Sequence, residues 1–499
     1  LTSSDQQCAF VNVQHALIEL VIFSLYRPTA IKGFSMRLMT AVDQLFLLLE
    51  SRKQPMHVGG LFLFELPEEE QGKDSEFVYQ LVQQLQNSEV PPSFPFNQVL
   101  ENLLFWKTDD QFDVEHHFRH VALPNPGRVR ELLMYISKEH SRLLDRAMPL
   151  WECHVIEGIL PEAEGMPERF ALYFKIHHSL VDGIAAMRLV QKALSQSPNE
   201  PVTLPIWSLI TRHGKKAENL LPTARSASRI IKEQLSTIKP VFTELIDNFK
   251  HSGKPDYVGT FDAPMSVLNQ RISASRRIAA QSYDLQRFYT IADAFGVNQN
   301  DVVLAVCAGA IRRYLLTMEA LPSKPLIAFV PMSLRNDESA SGNQISFLMA
   351  NLGTHLEDPI KRMQLIHDSM NSGKRRFRRM NKAQVINYSA IAYAWEGLNV
   401  LTGIFPKKQA FNLIISNVPG SKEPLYWNGA PLKALYPASI LVDGQAMNIT
   451  LATYLDKIEF CITACSKLLP RVQDILLLME EELSLLENIC EEKRLGVRY

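Results

Sequence analysis

The amino-acid sequence predicts an α/β protein built from two halves, and three observations support this prediction. Segments with the alternation or the apolar runs of β-strands are interspersed with segments whose apolar residues recur at helical spacing. The chain has 499 residues, which is too long for one ordinary hydrophobic core. A polar stretch over 206–260 separates two regions in which such segments are dense.

The composition is that of a globular protein and argues against several functions. Hydrophobic residues make up 46% of the chain and charged residues 21%. A formal net charge of −1 argues against nucleic acid as the main partner. The 6 cysteines are scattered without a paired metal-ligand spacing, and this usage is typical of a reducing cytosol. The longest apolar run, 16–26, contains Glu19 and is too short to span a bilayer, so we expect no transmembrane helix.

Four segments are predicted along the chain. Residues 1–35 carry no motif and are expected to be an N-terminal extension. Residues 36–205 are predicted to form the first domain, and 261–499 the second. Residues 206–260 contain polar-faced helical pieces interrupted by proline and glycine. They are therefore predicted to be a helical crossover between the domains.

Periodicity predicts helices and strands in both domains. The first helix, at 39–50, is expected to start at Thr40 or Asp43. The side chains expected to face inward from it are Leu45, Leu48 and Leu49. The other elements predicted for the first domain are a strand at 57–66, a helix at 75–87, an extended segment at 112–123, a helix at 128–144 and a strand at 151–156. Those predicted for the second domain are helices at 284–295, 302–316, 358–376 and 470–494, and strands at 325–334, 343–356, 411–418, 446–454 and 457–465.

The stretch 169–196 is the most informative part of the chain. Its first residues alternate as in a half-buried strand, which runs into His177 and His178, and a helix follows Gly183. A turn between a strand and a helix exposes a reactive side chain while the flanking elements hold it. Because successive strand residues point to opposite faces, only one of the two histidines can act in a given cleft. An imidazole can accept and return a proton near neutral pH.

The residues around the histidines have several possible roles. Asp182 could cap the helix, pair with an arginine or orient a histidine. Gly183 is expected to allow close approach of backbone or substrate. A second adjacent pair, His116 and His117, is not followed by Asp-Gly and is interpreted as structural. The pair in the His-His-x-x-x-Asp-Gly string is interpreted as chemical.

Three further segments contain residues whose structural role can be predicted. Asn300 and Asp301 precede a long apolar helix, where the first expectation is a helix cap. Pro149 ends a helix, and the strand after it begins at Trp151, which is expected to lie in the core. The apolar strand at 411–418 leads into a Pro-Gly turn.

Several strings of the sequence together resemble one known family, the bacterial wax ester synthases/diacylglycerol acyltransferases. The strings are HHSLVDG (177–183), LDRAMPLW (144–151), NDVVLA (300–305), SNVPG (416–420), VDQLFLLLE (42–50) and QPMHVGG (54–60). The first is the signature of the wider CoA-dependent acyltransferase superfamily. The resemblance extends from about residue 36 to the C-terminus.

The resemblance implies a fold and a mechanism. The fold would be two chloramphenicol-acetyltransferase-like domains, each a mixed sheet with helices, with an active-site tunnel between them. His178 would be the base that deprotonates a long-chain alcohol or diacylglycerol as it attacks acyl-CoA, and His177 and Gly183 would complete the motif. Asp182 would be structural. The residues that the resemblance places at the substrates are Pro149, Trp151, Asn300, Asp301, Ser416 and Asn417.

The resemblance also implies partners and a location. Acyl-CoA would be a substrate, so neither a cofactor nor a metal is expected. Since the substrates are apolar and no spanning helix is predicted, we expect a cytoplasmic protein on the inner membrane or on lipid droplets. Its basic segments, 206–260 and 374–382, are candidates for membrane contact, although a solvated helix surface is the more common explanation for such charge.

Three alternatives stay open at this point. A peptide-synthetase condensation domain shares the histidine motif, but nothing in the chain resembles the flanking modules. A metal site of His177, His178 and Asp182 is chemically possible, although the histidines point to opposite faces. A lipid-binding or surface-coating protein with an inactive site is the third, and an assay with labelled acyl-CoA would distinguish it from an enzyme.

Overall fold

The computed structural model describes residues 36–209, 262–333, 345–379 and 409–495, apart from residues 103, 182, 203 and 204. The predicted extension and most of the predicted crossover lie outside the described residues, and so does Asp182.

Strands and helices alternate through the first half as the periodicity predicts. The elements are β1 (Met36–Leu38), α1 (Ala41–Leu49), β2 (His57–Glu65), α2 (Asp74–Gln86), β3 (Gln98–Leu100), β4 (Phe105–Thr108), β5 (Phe118–Ala122), α3 (Val129–His140), β6 (Trp151–Ile159), β7 (Arg169–His177) and α4 (Gly183–Ala193). The helix predicted at 128–144 is shorter than expected and ends at His140.

The second half is equally regular. Its elements are β8 (Arg276–Asp284), α5 (Leu285–Phe295), α6 (Gln299–Thr317), β9 (Ile327–Ser333), β10 (Ile345–Asn351), α7 (Pro359–Arg379), β11 (Leu413–Val418), β12 (Tyr426–Trp427), β13 (Ala430–Ala438), β14 (Met447–Tyr454), β15 (Lys457–Cys465) and α8 (Gln473–Arg494). Cys461 and Cys465 are buried in β15.

Two six-stranded mixed sheets organise the molecule, which confirms the α/β class. The first has the order β12-β13-β2-β7-β6-β5 and the second β10-β9-β11-β14-β15-β8, while β1, β4 and β3 form a small third sheet. Two strands of the first sheet, β12 and β13, come from the second half of the chain, and β13 pairs with β2. The sequence did not predict this exchange. The division into domains at 205 and 261 stays a prediction.

The central strand β7 is buried along its whole length and has a different chemistry on each face. One face is apolar and packs under α2 and α4. The other carries Tyr173, Lys175 and His177, all fully buried. The Lys175 ammonium donates to the carbonyls of Glu139 and Arg142, at 3.0 and 2.7 Å, at the end of α3. A cation is favourable there because carbonyl groups at a helix C-terminus lack partners within the helix.

Helix α3 joins the two sheets by satisfying the edge of the second. The Ser137 hydroxyl accepts the Ile278 N–H, and the Ser141 hydroxyl accepts the Arg276 N–H, both at 2.9 Å. Both N–H groups belong to β8, the edge strand of the second sheet. Unpaired groups on a sheet edge need such partners when they are buried. The halves are therefore attached by hydrogen bonds of fixed register.

The side chains of α1 do not face as predicted. Leu45 and Leu48 are exposed, while Gln44 and Leu47 are buried. Helix α1 instead buries Leu47 in a small cluster with Met39, Trp106, Leu144 and Leu150. Thr40 is the N-cap, as one of the two alternatives predicted, and Asp43 completes its capping box.

A helix that crosses a membrane must be both long enough and apolar enough to span the hydrocarbon core. Among the described residues no single helix meets both requirements, but α5 and α6, which are bent by 102° at their junction, meet them together. Most residues of α6 are buried within the second half of the protein.

A buried acid between the sheets provides a pH test of the fold. Glu459 of β15 is fully buried and contacts the Ser282 hydroxyl, which in turn lies 2.8 Å from the Tyr436 hydroxyl of β13. Burial raises the pKa of Glu459 to about 7, despite the opposing effects of Ser282 and Lys457. The carboxyl group is thus protonated in the folded protein under mildly acidic conditions.

We predict that this group lowers the free energy of unfolding as the pH rises from about 4.5 to 7, because the unfolded chain releases the proton first. The full effect is up to about 3 kcal/mol. Glu459→Gln should remove it, so that urea unfolding of the variant depends less on pH than that of the wild type. Glu423→Gln, at an exposed position, is the control. Parallel pH profiles for wild type and Glu459→Gln would contradict the assignment.

Candidate active site

His178 lies directly after β7, at the point where the chain turns away from the sheet. Its backbone N–H donates to the carbonyl of Met56 at 2.9 Å, which continues the pairing of β7 with β2 by one residue. Its ring stacks on Phe46 of α1, with the ring centroids 4.3 Å apart and the planes at 24°. The side chain is only partly buried. The strand thus fixes the backbone of His178, and α1 fixes its ring.

His177 is fully buried and faces the other side of the strand, with Lys175 and Tyr173, as the alternation predicts. Its Nδ1 accepts the backbone N–H of Ser179 at 3.1 Å, so the hydrogen of this imidazole lies on Nε2. The Ser179 hydroxyl lies 2.6 Å from the same Nδ1 and donates to it. Nε2 lies 3.3 Å from Oε1 of Glu50. Both ring nitrogens of His177 therefore face groups of the protein.

Glu50 connects the motif to α1 and to the loop before β6. Its Oε2 accepts from Arg146 at 3.0 and 3.2 Å, and its Oε1 accepts the N–H of Met56 at 3.1 Å. Burial opposes ionisation, but the contacts with His177, Met56 and Arg146 together hold the pKa of Glu50 below its ordinary value. Arg146 also donates to the carbonyl of Leu47 at 2.7 Å. The carboxylate thus holds α1, and with it Phe46, in place.

A second pair of histidines lies behind His177. His140 donates through Nε2 to the carbonyl of Ser439 at 3.1 Å, so its Nδ1 accepts from the Tyr173 hydroxyl at 2.7 Å. His57, opposite His177 in the sheet, contacts the carbonyl of His140 at 2.9 Å. Burial lowers the pKa of His140 to about 3 and also lowers that of His57. Both imidazoles are therefore uncharged at neutral pH.

Gly59, in the string QPMHVGG, leaves room for the ring of Tyr173. A Cβ atom at this position would lie 2.7 Å from the ring of Tyr173. A larger residue would displace the tyrosine, whose hydroxyl holds His140.

The other residues of the histidine motif contribute differently. Asp182 lies outside the described residues, so its structural role stays a prediction. Gly183 is the first residue of α4, and a Cβ atom there would make ordinary contact with Val58 at 4.0 Å. Among the described residues, the structure shows no close backbone approach that requires glycine at this position.

The N-cap of α6 is Asn298 rather than Asn300 or Asp301, and Asp301 completes its capping box. Asp301 occupies the third helical position and is fully buried. Its Oδ2 accepts from Asn298, at 2.7 Å from the amide, and from Nδ1 of His367 on α7 at 2.6 Å. Asp301 thus fixes the start of α6 against α7. Asn300 is partly exposed in the same first turn.

The string SNVPG and the first turn of α6 border one cavity of about 590 Å³. The residues that line it are Leu285, Tyr289, Gln299, Asn417, Pro419, Ser421, Lys422, Thr453 and Leu455. Gly420 packs against β14 so closely that a Cβ atom would lie 1.8 Å from the carbonyl oxygen of Thr453, which explains the glycine. Ser416 is half-buried in β11. His178 is not among the described residues that line this cavity.

Pro149 and Trp151 are buried next to β7. The indole N–H of Trp151 donates to the carbonyl of Phe96 at 2.9 Å, and its ring stacks on His117 with centroids 4.3 Å apart. The expectation that Trp151 lies in the core is confirmed. The structural role predicted for His117 is confirmed as well, since its Nδ1 lies 2.8 Å from the carbonyl of Trp151.

Two family models match the chain. The family model described as "Wax ester synthase/diacylglycerol acyltransferase catalytic domain" matches residues 39–303. The model described as "WS/DGAT C-terminal domain" matches residues 341–487. The chain belongs to this family. The resemblance noted in the sequence strings is thereby confirmed.

Individual relatives agree with the family. The chain is 53% identical over 464 residues to the O-acyltransferase WSD of Acinetobacter baylyi, covering 92% of this chain and 98% of that protein. It is 41% identical over 461 residues to a Mycobacterium tuberculosis protein named as a diacylglycerol O-acyltransferase, covering 90% and 99%. The solved wax ester synthase/diacylglycerol acyltransferase from Marinobacter aquaeolei VT8 is 41% identical and superposes with a TM-score of 0.72, covering 91% of this chain and 100% of that one. This agreement supports the two-domain acyltransferase fold.

Membership in the family and the geometry weigh against the open alternatives. A metal site would take its donors from His177, but both ring nitrogens of this residue already face protein groups. A different group of possible ligand atoms, from Glu139, Glu152 and His154, lies within 4.8 Å of one another. There the Lys175 ammonium, 3.8 Å from Glu152, already supplies positive charge.

Sequence reasoning did not identify Phe46, Glu50 or Arg146 as parts of the site. Two of them stand in VDQLFLLLE, a string that the family resemblance had singled out without assigning it a function. A glutamate at the end of an otherwise apolar helix is the signal that could have drawn attention to Glu50.

We predict that Glu50→Gln destabilises the protein by about 3 kcal/mol, because it leaves Arg146 and His177 without their buried carboxylate. Turnover should fall as well, since α1 then holds His178 less firmly. Urea unfolding and initial rates would measure the two effects. Glu131→Gln, which breaks an exposed ion pair with Arg128, should leave both nearly unchanged. If Glu50→Gln behaves like this control, the carboxylate does not hold the site together.

Proposed function

We propose that the protein transfers a fatty acyl group from acyl-CoA to the hydroxyl of a long-chain alcohol or of diacylglycerol, with His178 as the general base. One observation carries the assignment of the base. His177 is fully buried with both ring nitrogens facing protein groups, whereas His178 is partly exposed beyond the end of the strand. Of the two motif histidines, His178 is the one that a substrate can reach.

In this mechanism His178 accepts the proton of the acceptor hydroxyl as its oxygen attacks the thioester carbonyl carbon. The C–S bond then breaks, and the protonated imidazole returns its proton to the departing CoA thiolate. An imidazole with a pKa near neutrality suits both steps. Acyl-CoA is consumed as a substrate, so the reaction requires no cofactor and no metal from this chain.

The tetrahedral intermediate carries a negative oxygen, which needs hydrogen-bond donors. Asn300 is the first candidate, because it is partly exposed in the first turn of α6, where backbone N–H groups lack partners within the helix. Asn417 and Ser416 are weaker candidates. The cavity beside Asn417 supports a substrate-binding role for this end of the second sheet.

The two acceptor classes follow from the relatives, one of which is named a wax ester synthase/diacylglycerol acyltransferase and another a diacylglycerol O-acyltransferase. Purified protein with palmitoyl-CoA and either hexadecanol or diacylglycerol, with the products separated by thin-layer chromatography, tests the proposal. Formation of neither ester would overturn it.

We further propose that the protein works in the cytoplasm, bound peripherally to the inner membrane or to lipid droplets. Long-chain alcohols and diacylglycerol partition into bilayers or lipid droplets, so an enzyme that esterifies them must meet that surface.

We predict that His178→Ala lowers turnover by two or more orders of magnitude, within the usual range for loss of a general base. His177→Ala should mainly lower the free energy of unfolding, because it removes the link between Ser179 and Glu50. Initial rates and urea unfolding separate the two effects. Similar residual activities in two stably folded variants would exclude His178 as the unique base.

We also predict direct attack on acyl-CoA without an acyl-enzyme. The Ser179 side chain is buried, which keeps its hydroxyl from acyl-CoA, and burial raises the pKa of the Cys153 thiol. We therefore expect neither group to carry the acyl group. Double-reciprocal plots at several fixed alcohol concentrations should intersect. Mass spectrometry after incubation with acyl-CoA alone should show unmodified protein, whereas parallel lines with an acyl adduct would establish a ping-pong mechanism.

A further inference from the structure

Helix α1 presents apolar side chains to solvent on the side away from the protein core. Leu45 and Leu48 are 44% and 49% exposed, and residues three apart lie on the same side of a helix. Leu143, in the loop after α3, is 41% exposed. Isolated exposed leucines are common on protein surfaces, but a group of them indicates a binding surface. We call Leu45, Leu48 and Leu143 the leucine face.

The leucine face is adjacent to the motif histidine. Phe46 stacks on His178, so the outer side of α1 is separated from that ring by about one helix diameter, roughly 10 Å. The loop that carries Leu143 packs on the same helix. Arg146 donates to the carbonyl of Leu47, and Leu144 and Leu47 belong to one buried cluster. The exposed leucines therefore stand on two segments that pack together beside the site.

The exposed charges next to these leucines are mainly positive. Arg52 and Lys53 are exposed in the turn after α1, and Arg142 and Arg146 in the loop are 56% and 40% exposed.

The acidic groups of these segments are mostly turned inward. The Glu50 side chain is 2% exposed and paired with Arg146, and Asp43 is engaged in the helix cap. Asp145 is the exposed acidic residue of the loop. Apolar side chains flanked by cations are the chemistry that binds anionic phospholipid.

We propose that the leucine face docks the protein on the anionic phospholipid surface of a bilayer, and so places His178 beside the lipid that contains its acceptor. This inference rests on the proposed function, since it supplies an insoluble acceptor to the same base. It assigns membrane contact to α1 and the adjoining loop. The basic segments at 206–260 and 374–382 are not needed for it.

The proposal is tested with Leu45→Gln/Leu48→Gln in the full chain. The matched control is Leu477→Gln/Leu485→Gln, which changes two leucines of α8 that are 62% and 42% exposed. Binding is measured by flotation with phosphatidylcholine vesicles that contain roughly one third phosphatidylglycerol. We expect the partition coefficient of the α1 variant to fall at least about tenfold, with that of the control unchanged.

Charge is tested in the same assay. Arg52→Glu/Lys53→Glu should lower binding to the anionic vesicles, and binding of the wild type should weaken as salt rises, because surface charges are screened beyond about 8 Å at physiological salt. Equal binding of the wild type to neutral and anionic vesicles would overturn the choice of anionic lipid.

Two activity measurements distinguish failure of this inference from failure of the proposed function. With a short, water-soluble alcohol and acyl-CoA in the absence of vesicles, the α1 variant should match the wild type. With hexadecanol in vesicles, its rate should fall in proportion to binding. If the wild type esterifies neither alcohol, the proposed function fails. If it is active and the α1 variant still floats with vesicles like the control, the docking surface is overturned. Loss of a dimer with unchanged flotation would overturn it too, and would show a contact between two copies.

Discussion

The carboxylate of Glu50 is the group on which the geometry of the histidine motif depends. It stands at the end of α1 and reaches three elements at once, namely Arg146 in the loop before β6, the backbone of Met56 at the start of β2, and His177 at the end of β7. A buried carboxylate without partners is costly, so these elements are held together as long as it is ionised. Because Phe46 lies on the same helix, the carboxylate also determines what covers the ring of His178.

A second set of buried polar groups connects this site to the other sheet. Lys175 holds the end of α3, and Ser137 and Ser141 hold the edge strand β8. His140 links Tyr173 of the first sheet to Ser439, which follows β13. Such groups contribute little net stability compared with apolar packing of the same volume, but each accepts only one arrangement of partners. They therefore define how the halves meet, while the two large apolar clusters supply most of the hydrophobic stabilisation.

Local patterns in the sequence were sufficient to predict the helices and strands. They did not predict which side of a helix is buried or which distant strands pair. Strands such as β14 and β15 were predicted with bounds close to those observed, because alternation and apolar runs depend only on nearby residues. The recruitment of β13 into the first sheet depends on pairing across several hundred residues, for which a single sequence contains no signal. The same limit explains the error on α1, whose inward side depends on which element it covers.

The site likewise contains residues that a local pattern predicts and residues that only the fold brings together. The motif histidines and their opposite directions follow from a period of two, and so they were predictable from the sequence. Glu50 and Arg146 reach the motif from 127 and 31 residues away, and only the fold brings them there. Adjacent histidines thus acquire different chemistry from their surroundings. His177 is buried on one face of β7 among fixed donors and acceptors. His178 lies just beyond the end of that strand and is accessible. The motif needs both, since the buried histidine anchors the turn from which the accessible one acts.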